Sequence, residues 1–152
     1  MAIHCIKMVQ KIPVALDVAW NFFSNPANLE RITEEGVGFS IVSKHHSDKI
    51  YPGQIIEYRI KPFAGISLYW MTEITNVVDR QLFVDEQRFG PFDMWHHQHH
   101  FKEVGGGVEM TDIVHYKIPF WVVGELANVV FVKNKLRGIF EYRKNMIGEI
   151  FR

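Results

Sequence analysis

The stretch from Phe89 to Pro119 constrains the fold more than any other part of the chain. It reads FGPFDMWHHQHHFKEVGGGVEMTDIVHYKIP, two runs of period-2 alternation joined at a glycine triplet. Alternate side chains of a strand share a face, so Trp95, His97, His99 and Phe101 point one way. In the second run Val108, Met110, Asp112, Val114 and Tyr116 share a face. A two-residue hairpin turn of the favoured hand needs positive φ, which places Gly105-Gly106 at the tip. Val104 then pairs with Gly107, Phe101 with Met110, His99 with Asp112, and Trp95 with Tyr116. The two faces coincide, and one surface mixes large aromatics with imidazoles and a carboxylate. A pure core face has no need of those ionisable groups. A site for a mostly apolar small molecule uses them, because such pockets are apolar with a few placed polar groups.

The rest of the chain supplies the frame. Ile3 to Ile12 alternates as a strand and Pro13 ends it. Val14 to Phe23 has Val14, Val18 and Phe22 at helical spacing. Asn25-Pro26 restarts a short helix carrying Leu29 and Ile32, with asparagine suited to the N-cap and proline to the first helical position. Strands are expected at 38–45, 54–61, 66–78, 81–89, 93–103 and 107–117. The turn-forming residues between them come at short spacing, so these strands should be antiparallel neighbours. A helix from about Val122 to Phe151 follows, with Leu126, Val129, Leu136, Phe140, Ile147 and Ile150 on one stripe and Lys133, Lys135, Arg137, Glu141 and Lys144 opposite. Thirty helical residues span about 45 Å, enough to cross a whole sheet. This order suggests an α+β chain whose single curved sheet wraps around the C-terminal helix.

Composition excludes several classes. Residues 1–152 are expected to form one domain, long enough for a core and an internal cavity. Seventeen basic and seventeen acidic residues balance, which argues against nucleic acid and against a polybasic membrane anchor. Near-zero net charge lowers colloidal repulsion and leaves room for a homodimer. Cys5 is the one cysteine, so no internal disulfide forms; it reads as a small packed residue in a reducing compartment. No secretory signal and no apolar run of about 20 residues is present, so a cytoplasmic location and no membrane span are expected.

Several patterns together resemble the START-related polyketide cyclase/dehydrase superfamily (SRPBCC), in its ligand-binding bacterial branch. They are WNFFSNPANLERIT, Trp70 within LYWMTEI, FVDEQRFGPFDMWHHQHHF, GGGVEMTDIVHYKIPF, and IFEYR late in the last helix. Val108 departs from the threonine expected after the glycines, and the extra His96 and His100 depart on the other face. The resemblance implies a helix-grip fold: an antiparallel curved sheet of six to seven strands around a long C-terminal helix, with two short helices after the first strand. It also implies a cavity of a few hundred Å³ between sheet and helix for a hydrophobic ligand. Relatives in this branch are joined to, or labelled as, nucleoside-diphosphate-sugar epimerase-like cell-division inhibitors, but this chain has no dinucleotide-binding glycine motif.

Tyr58, Trp70, Phe83, Gln87, Trp95, His97, His99, Asp112, Tyr116 and Phe140 are the expected ligand-binding residues. His99, Asp112, His97 and Asp85 form the candidate polar group, with Asp85 reaching His97 if the loop runs from Phe89 to Asp93. A carboxylate fixes an imidazole's tautomer and raises its pKa, which suits a ligand-orienting network and equally a general base. His97/His99 and His96/His100 each have directions suited to two metal bonds, and Asp112 and Asp85 could complete a set. A structural site wants four ligands and no cysteine cluster accompanies them, so no metal or other cofactor is assigned. Arg143 is read first as a partner for an acidic residue, with a role toward a ligand's anion as the less favoured alternative. The expected function is binding of a small hydrophobic or amphipathic molecule, lipid-like, polyketide-like or aromatic. The alternatives are a cyclase or hydratase using a His/Asp acid-base pair, and a regulatory partner protein, cell-division related, with a vestigial cavity.

Overall fold

The computed structural model describes residues 2–43, 49–63, 65–119 and 125–152; side chains at 62, 63 and 125–129 are not among those described. Seven strands form one curved antiparallel sheet: β1 (His4–Ile12), β2 (Ser40–Ile41), β3 (Ile55–Phe63), β4 (Ile66–Val78), β5 (Leu82–Phe89), β6 (Met94–Val104) and β7 (Gly107–Lys117). Their order across the sheet is β1-β7-β6-β5-β4-β3-β2, so the first strand closes against the last. Helix α1 (Leu16–Phe23), a 3-10 helix (Pro26–Ile32) and a 3-10 turn (Glu35–Val37) follow β1, and α2 (Glu125–Ile150) comes last. This is a helix-grip α+β fold.

The β6–β7 hairpin has the register that its alternation and turn predict, with Phe101 opposite Met110, His99 opposite Asp112 and Trp95 opposite Tyr116. Only one of the two tip glycines takes a left-handed backbone: Gly106 has φ 81°, while Gly105 does not. Gly107 is fixed by a different constraint. A Cβ there would lie 2.1 Å from the carbonyl oxygen of Ile12, where β1 passes close to the hairpin. Alternation along β6 is complete from Met94 to Phe101, each odd-numbered residue buried and each even-numbered one partly exposed.

Helix α2 lays Leu136, Phe140 and Ile147 against the sheet, at spacings of four and seven. Phe140 and Leu136 pack with Trp95, Val114 and Tyr116; Ile147 packs with Phe83, Phe101, Val108 and Met110. Burying a side chain of this size contributes about 1.5–3 kcal/mol. Lys133, Arg137, Glu141 and Lys144 are exposed on the opposite face, and Lys135 is half-buried. The expected stripe members Leu126 and Val129, and the expected helix start at Val122, lie outside the described residues.

Four local expectations are corrected. The strand at 38–45 shrinks to Ser40–Ile41, held at the sheet edge by two residues of β3; residues 44 and 45 lie outside the described residues. Helix α1 begins at Leu16, because Ala15 is extended (φ −63°, ψ 150°). The second short helix is 3-10, with the Asn25 side chain accepting a hydrogen bond from Ala27 N at 3.0 Å. Cys5 is exposed rather than packed, since in β1 it is Ile6 and Met8 that turn toward the core.

Candidate functional site

The site is built where β5, β6 and β7 run side by side. Backbone register sets Asp85 opposite His97 and His99 opposite Asp112. The side chains then cross diagonally. His97 Nε2 lies 2.8 Å from Asp112 Oδ1, and His99 Nε2 lies 2.6 Å from Asp85 Oδ2. Each carboxylate also faces the other imidazole: His99 Nδ1 is 3.0 Å from Asp112, outside hydrogen-bonding alignment, and His97 Nδ1 is 3.7 Å from Asp85. The two imidazoles are thus bracketed by a carboxylate at either edge. Alternate strand positions hold the rings against each other, with centroids 3.7 Å apart and planes tilted by 32°. Phe83 stacks on His99 at 4.0 Å, and Phe140 of α2 meets His97 edge-on at 5.7 Å.

Burial separates the four groups electrostatically. It works against the charged form of His97, the charge of His99 adds to that, and the pKa falls below 6.5 despite Asp85 and Asp112. Burial also opposes the charge on His99, but the close contacts with Asp112 and Asp85 outweigh it and the pKa rises above 6.5. Burial alone would raise both carboxylates. The charges and hydrogen bonds of the histidines instead hold Asp85 below its ordinary value and Asp112 well below it; Arg143 adds to the effect on Asp85. The Tyr58 phenol is pushed far up by burial and by the charge of Asp85, so it stays protonated. The cluster therefore holds two carboxylates and two imidazoles of unequal basicity, His99 binding a proton more readily than His97. A pair of titratable groups pushed apart in this way can donate and accept a proton at one place.

Asp85, His97 and His99 open onto a cavity of about 190 Å³ between the sheet, α2 and the 3-10 helix. That volume is more than ten times what one water needs. It lies below the ~300–1,000 Å³ usual for drug-sized ligands. Tyr58, Trp70, Phe83, Trp95, His97, His99 and Phe140 are on its wall. Three other expected binding residues are not. Gln87 is turned to the β5–β6 loop, donating to Phe92 O at 2.6 Å and accepting from Phe92 N at 3.2 Å. Tyr116 is packed under Trp95 and Phe92 at 1% exposure. Asp112 lies behind the histidines, at a void of about 10 Å³ too small for a ligand, and reaches the cavity only through them. Asp85, His97 and His99 each offer a ligand atom within 4.8 Å of the other two, the spacing a metal ion would need.

The cavity also contains a residue read differently from the sequence. Arg143 lines it, with its guanidinium carbon 5.2 Å from the centre of the Phe140 ring. The signal was present: Arg143 falls three after Phe140 and four before Ile147, inside the apolar stripe where a helix seldom places a charge. The extra histidines went elsewhere. His96 and His100 lie on the outer sheet face in a polar ladder, His96 Nδ1 at 2.8 Å from Glu86 and His100 Nε2 at 2.9 Å from Gln98.

Comparison with known proteins agrees on the fold. No protein-family model and no curated protein matches the chain. Solved structures do. Protein Ms6760 from Mycobacterium smegmatis superposes with a TM-score of 0.70 at 17% identity, over 96% of this chain and 89% of that one. Ginseng major latex-like protein 151 from Panax ginseng gives 0.70 at 13% identity, over 99% and 98%. A nucleoside-diphosphate sugar epimerase from Corynebacterium glutamicum gives 0.66 at 17% identity, over 95% of this chain but 28% of its own length. These likenesses place the chain in the helix-grip fold that the resemblance to SRPBCC proteins implied. Among the described residues no helix is long and apolar enough to cross a membrane.

Proposed function

We propose that this chain is one ligand-binding domain, a cytoplasmic carrier or sensor that holds a small amphipathic molecule between the sheet and α2. The observation that carries this reading is the cavity itself. A space of about 190 Å³ has mostly apolar walls, with a cluster of polar groups in Asp85, His97, His99, Arg143 and the Tyr58 hydroxyl. That is the division of labour of a binding pocket, with apolar area for affinity and a few fixed polar atoms for orientation. Its size favours a compact ring system or a short chain over a long lipid. Native mass spectrometry of the protein as purified tests the reading. A bound small molecule that leaves on denaturation, and is lost when Thr72→Phe fills the wall, supports it. Ligand-free protein that also fails to retain any small aromatic added at millimolar concentration counts against it.

The buried His/Asp group favours a second reading, a cyclase- or hydratase-type enzyme. His99 holds a proton more readily than His97, and the two lie a few ångströms apart on the same wall, so one can donate where the other accepts. In that case Asp112→Asn abolishes turnover of the bound molecule while binding persists, because Asp112 touches only the imidazoles. In a carrier the same variant changes affinity alone.

A further inference from the structure

We propose that the cavity is built for a molecule carrying a carboxylate-type anion on an apolar body, and that Arg143 receives the anion. The proposal rests on the binding reading above and names its ligand's chemistry. Arg143 is the one cation that α2 places on the cavity wall among the described residues. An arginine on a helix flank usually extends its head to solvent. This one lies over Phe140, and its Nε is buried without a hydrogen-bond partner.

The nearby carboxylates do not complete it. Asp85 is held by His99 at 2.6 Å and Asp112 by His97 at 2.8 Å. Among the described residues Arg143 makes no ion pair, although Asp85 is near enough to feel its charge. A buried guanidinium N–H with no partner is costly unless something accepts from it. A carboxylate matches its planar fork, and charge-assisted bonds of this kind are about twice as strong as neutral ones. The rest of the wall, Trp70, Trp95, Phe83 and Tyr58, suits a flat apolar body. An incoming anion adds one negative charge to a group that contains Asp85 from β5, Asp112 from β7, Tyr58 from β3 and both histidines from β6.

A matched pair of probes tests this. Naphthalene-2-carboxylate and naphthalene-2-carboxamide share shape and differ in charge. Calorimetric titration of the intact protein at pH 7.5 should show the carboxylate binding at least about tenfold tighter, the size of one charge-assisted hydrogen bond. Arg143→Met should erase that preference and leave amide affinity within about threefold; Arg143→Lys should keep part of it. Equal affinities in the native protein, or a preference that survives Arg143→Met, would overturn the proposal and leave the binding reading standing. If Arg143 only balances Asp85, Arg143→Met lowers stability without altering the ratio, which also overturns it. Binding of neither probe withdraws the binding reading as well. Should Arg143→Met fail to fold, the native ratio alone decides.

Discussion

Four histidines alternate along one strand, and the two faces of β6 put them to different uses. His97 and His99 point inward, packed ring against ring and bracketed by Asp85 and Asp112, at 4% and 7% exposure. His96 and His100 point outward and share a ladder with Glu86 and Gln98, where water competes for every bond. Residue type and hydrogen-bond length are nearly the same on both faces. What differs is the surrounding medium. In water a 2.8 Å contact between imidazole and carboxylate is weak, and removing it costs little. In the interior the same contact fixes a tautomer and splits two pKa values, and losing one partner leaves an unsatisfied group.

The largest effect should come from breaking the inner bracket. Asp112→Ala leaves His97 Nε2 without an acceptor beneath a packed helix, and should cost about 3 kcal/mol in a urea unfolding curve. Asp112→Asn keeps the volume and should cost less. If Asp112→Ala is as mild as an outer-face change, the two faces are equivalent and the comparison fails.

Next comes pH. The His99 pKa is raised, so its contribution is full below about 6.5 and lost as pH rises through the folded value. The His97 pKa is lowered, so below about 6.5 the unfolded chain takes up a proton the folded chain refuses, and stability falls. The lowered Asp85 and Asp112 hold their contribution above about pH 4 and lose it as pH drops through their folded values. NMR of the imidazole Cε1 protons should find one titration above 6.5 and one below it, assignable to His99 and His97. In Asp85→Asn the His99 midpoint should move down, toward or below 6.5, because one of its two carboxylates is gone. Two inner imidazoles titrating together would mean that the pair is not separated by its surroundings.

The smallest effects sharpen the contrast from the other side. His96→Ala and His100→Ala should each change stability by no more than about 0.5 kcal/mol, as exposed substitutions usually do. Neither should alter the affinity of a cavity ligand. A loss of about 2 kcal/mol in either variant would show the outer ladder to be a structural network in its own right.

The sequence disclosed the strands well because β6 and β7 alternate without interruption and a glycine tip leaves one register. Parity alone was enough to put Trp95, His97, His99 and Asp112 on the inner side. It was not enough to say which of those side chains touch the cavity. Gln87 and Tyr116 have inward-compatible positions, yet Gln87 is used by the Phe92 loop and Tyr116 is roofed by Phe92 and Trp95. The crossing of the His–Asp contacts was also hidden, since register fixes Cα partners while side-chain direction selects the diagonal ones. Arg143 was visible as a charge in an apolar stripe, but its meaning depended on a cavity that no residue pattern measures.

The central claim is that the inner face of β6 is the wall of a ligand cavity and not merely core. Trp70 and Trp95 line that cavity, whereas Trp20 is packed between Phe83 and Phe101 in the neighbouring cluster and is not on its wall. The direct measurement is the indole N–H spectrum of the native protein during titration with neutral naphthalene-2-carboxamide. The account predicts saturable shifts of the Trp70 and Trp95 signals at a one-to-one ratio, with Trp20 nearly still. No saturable shift, or a shift that spares both Trp70 and Trp95, would contradict it.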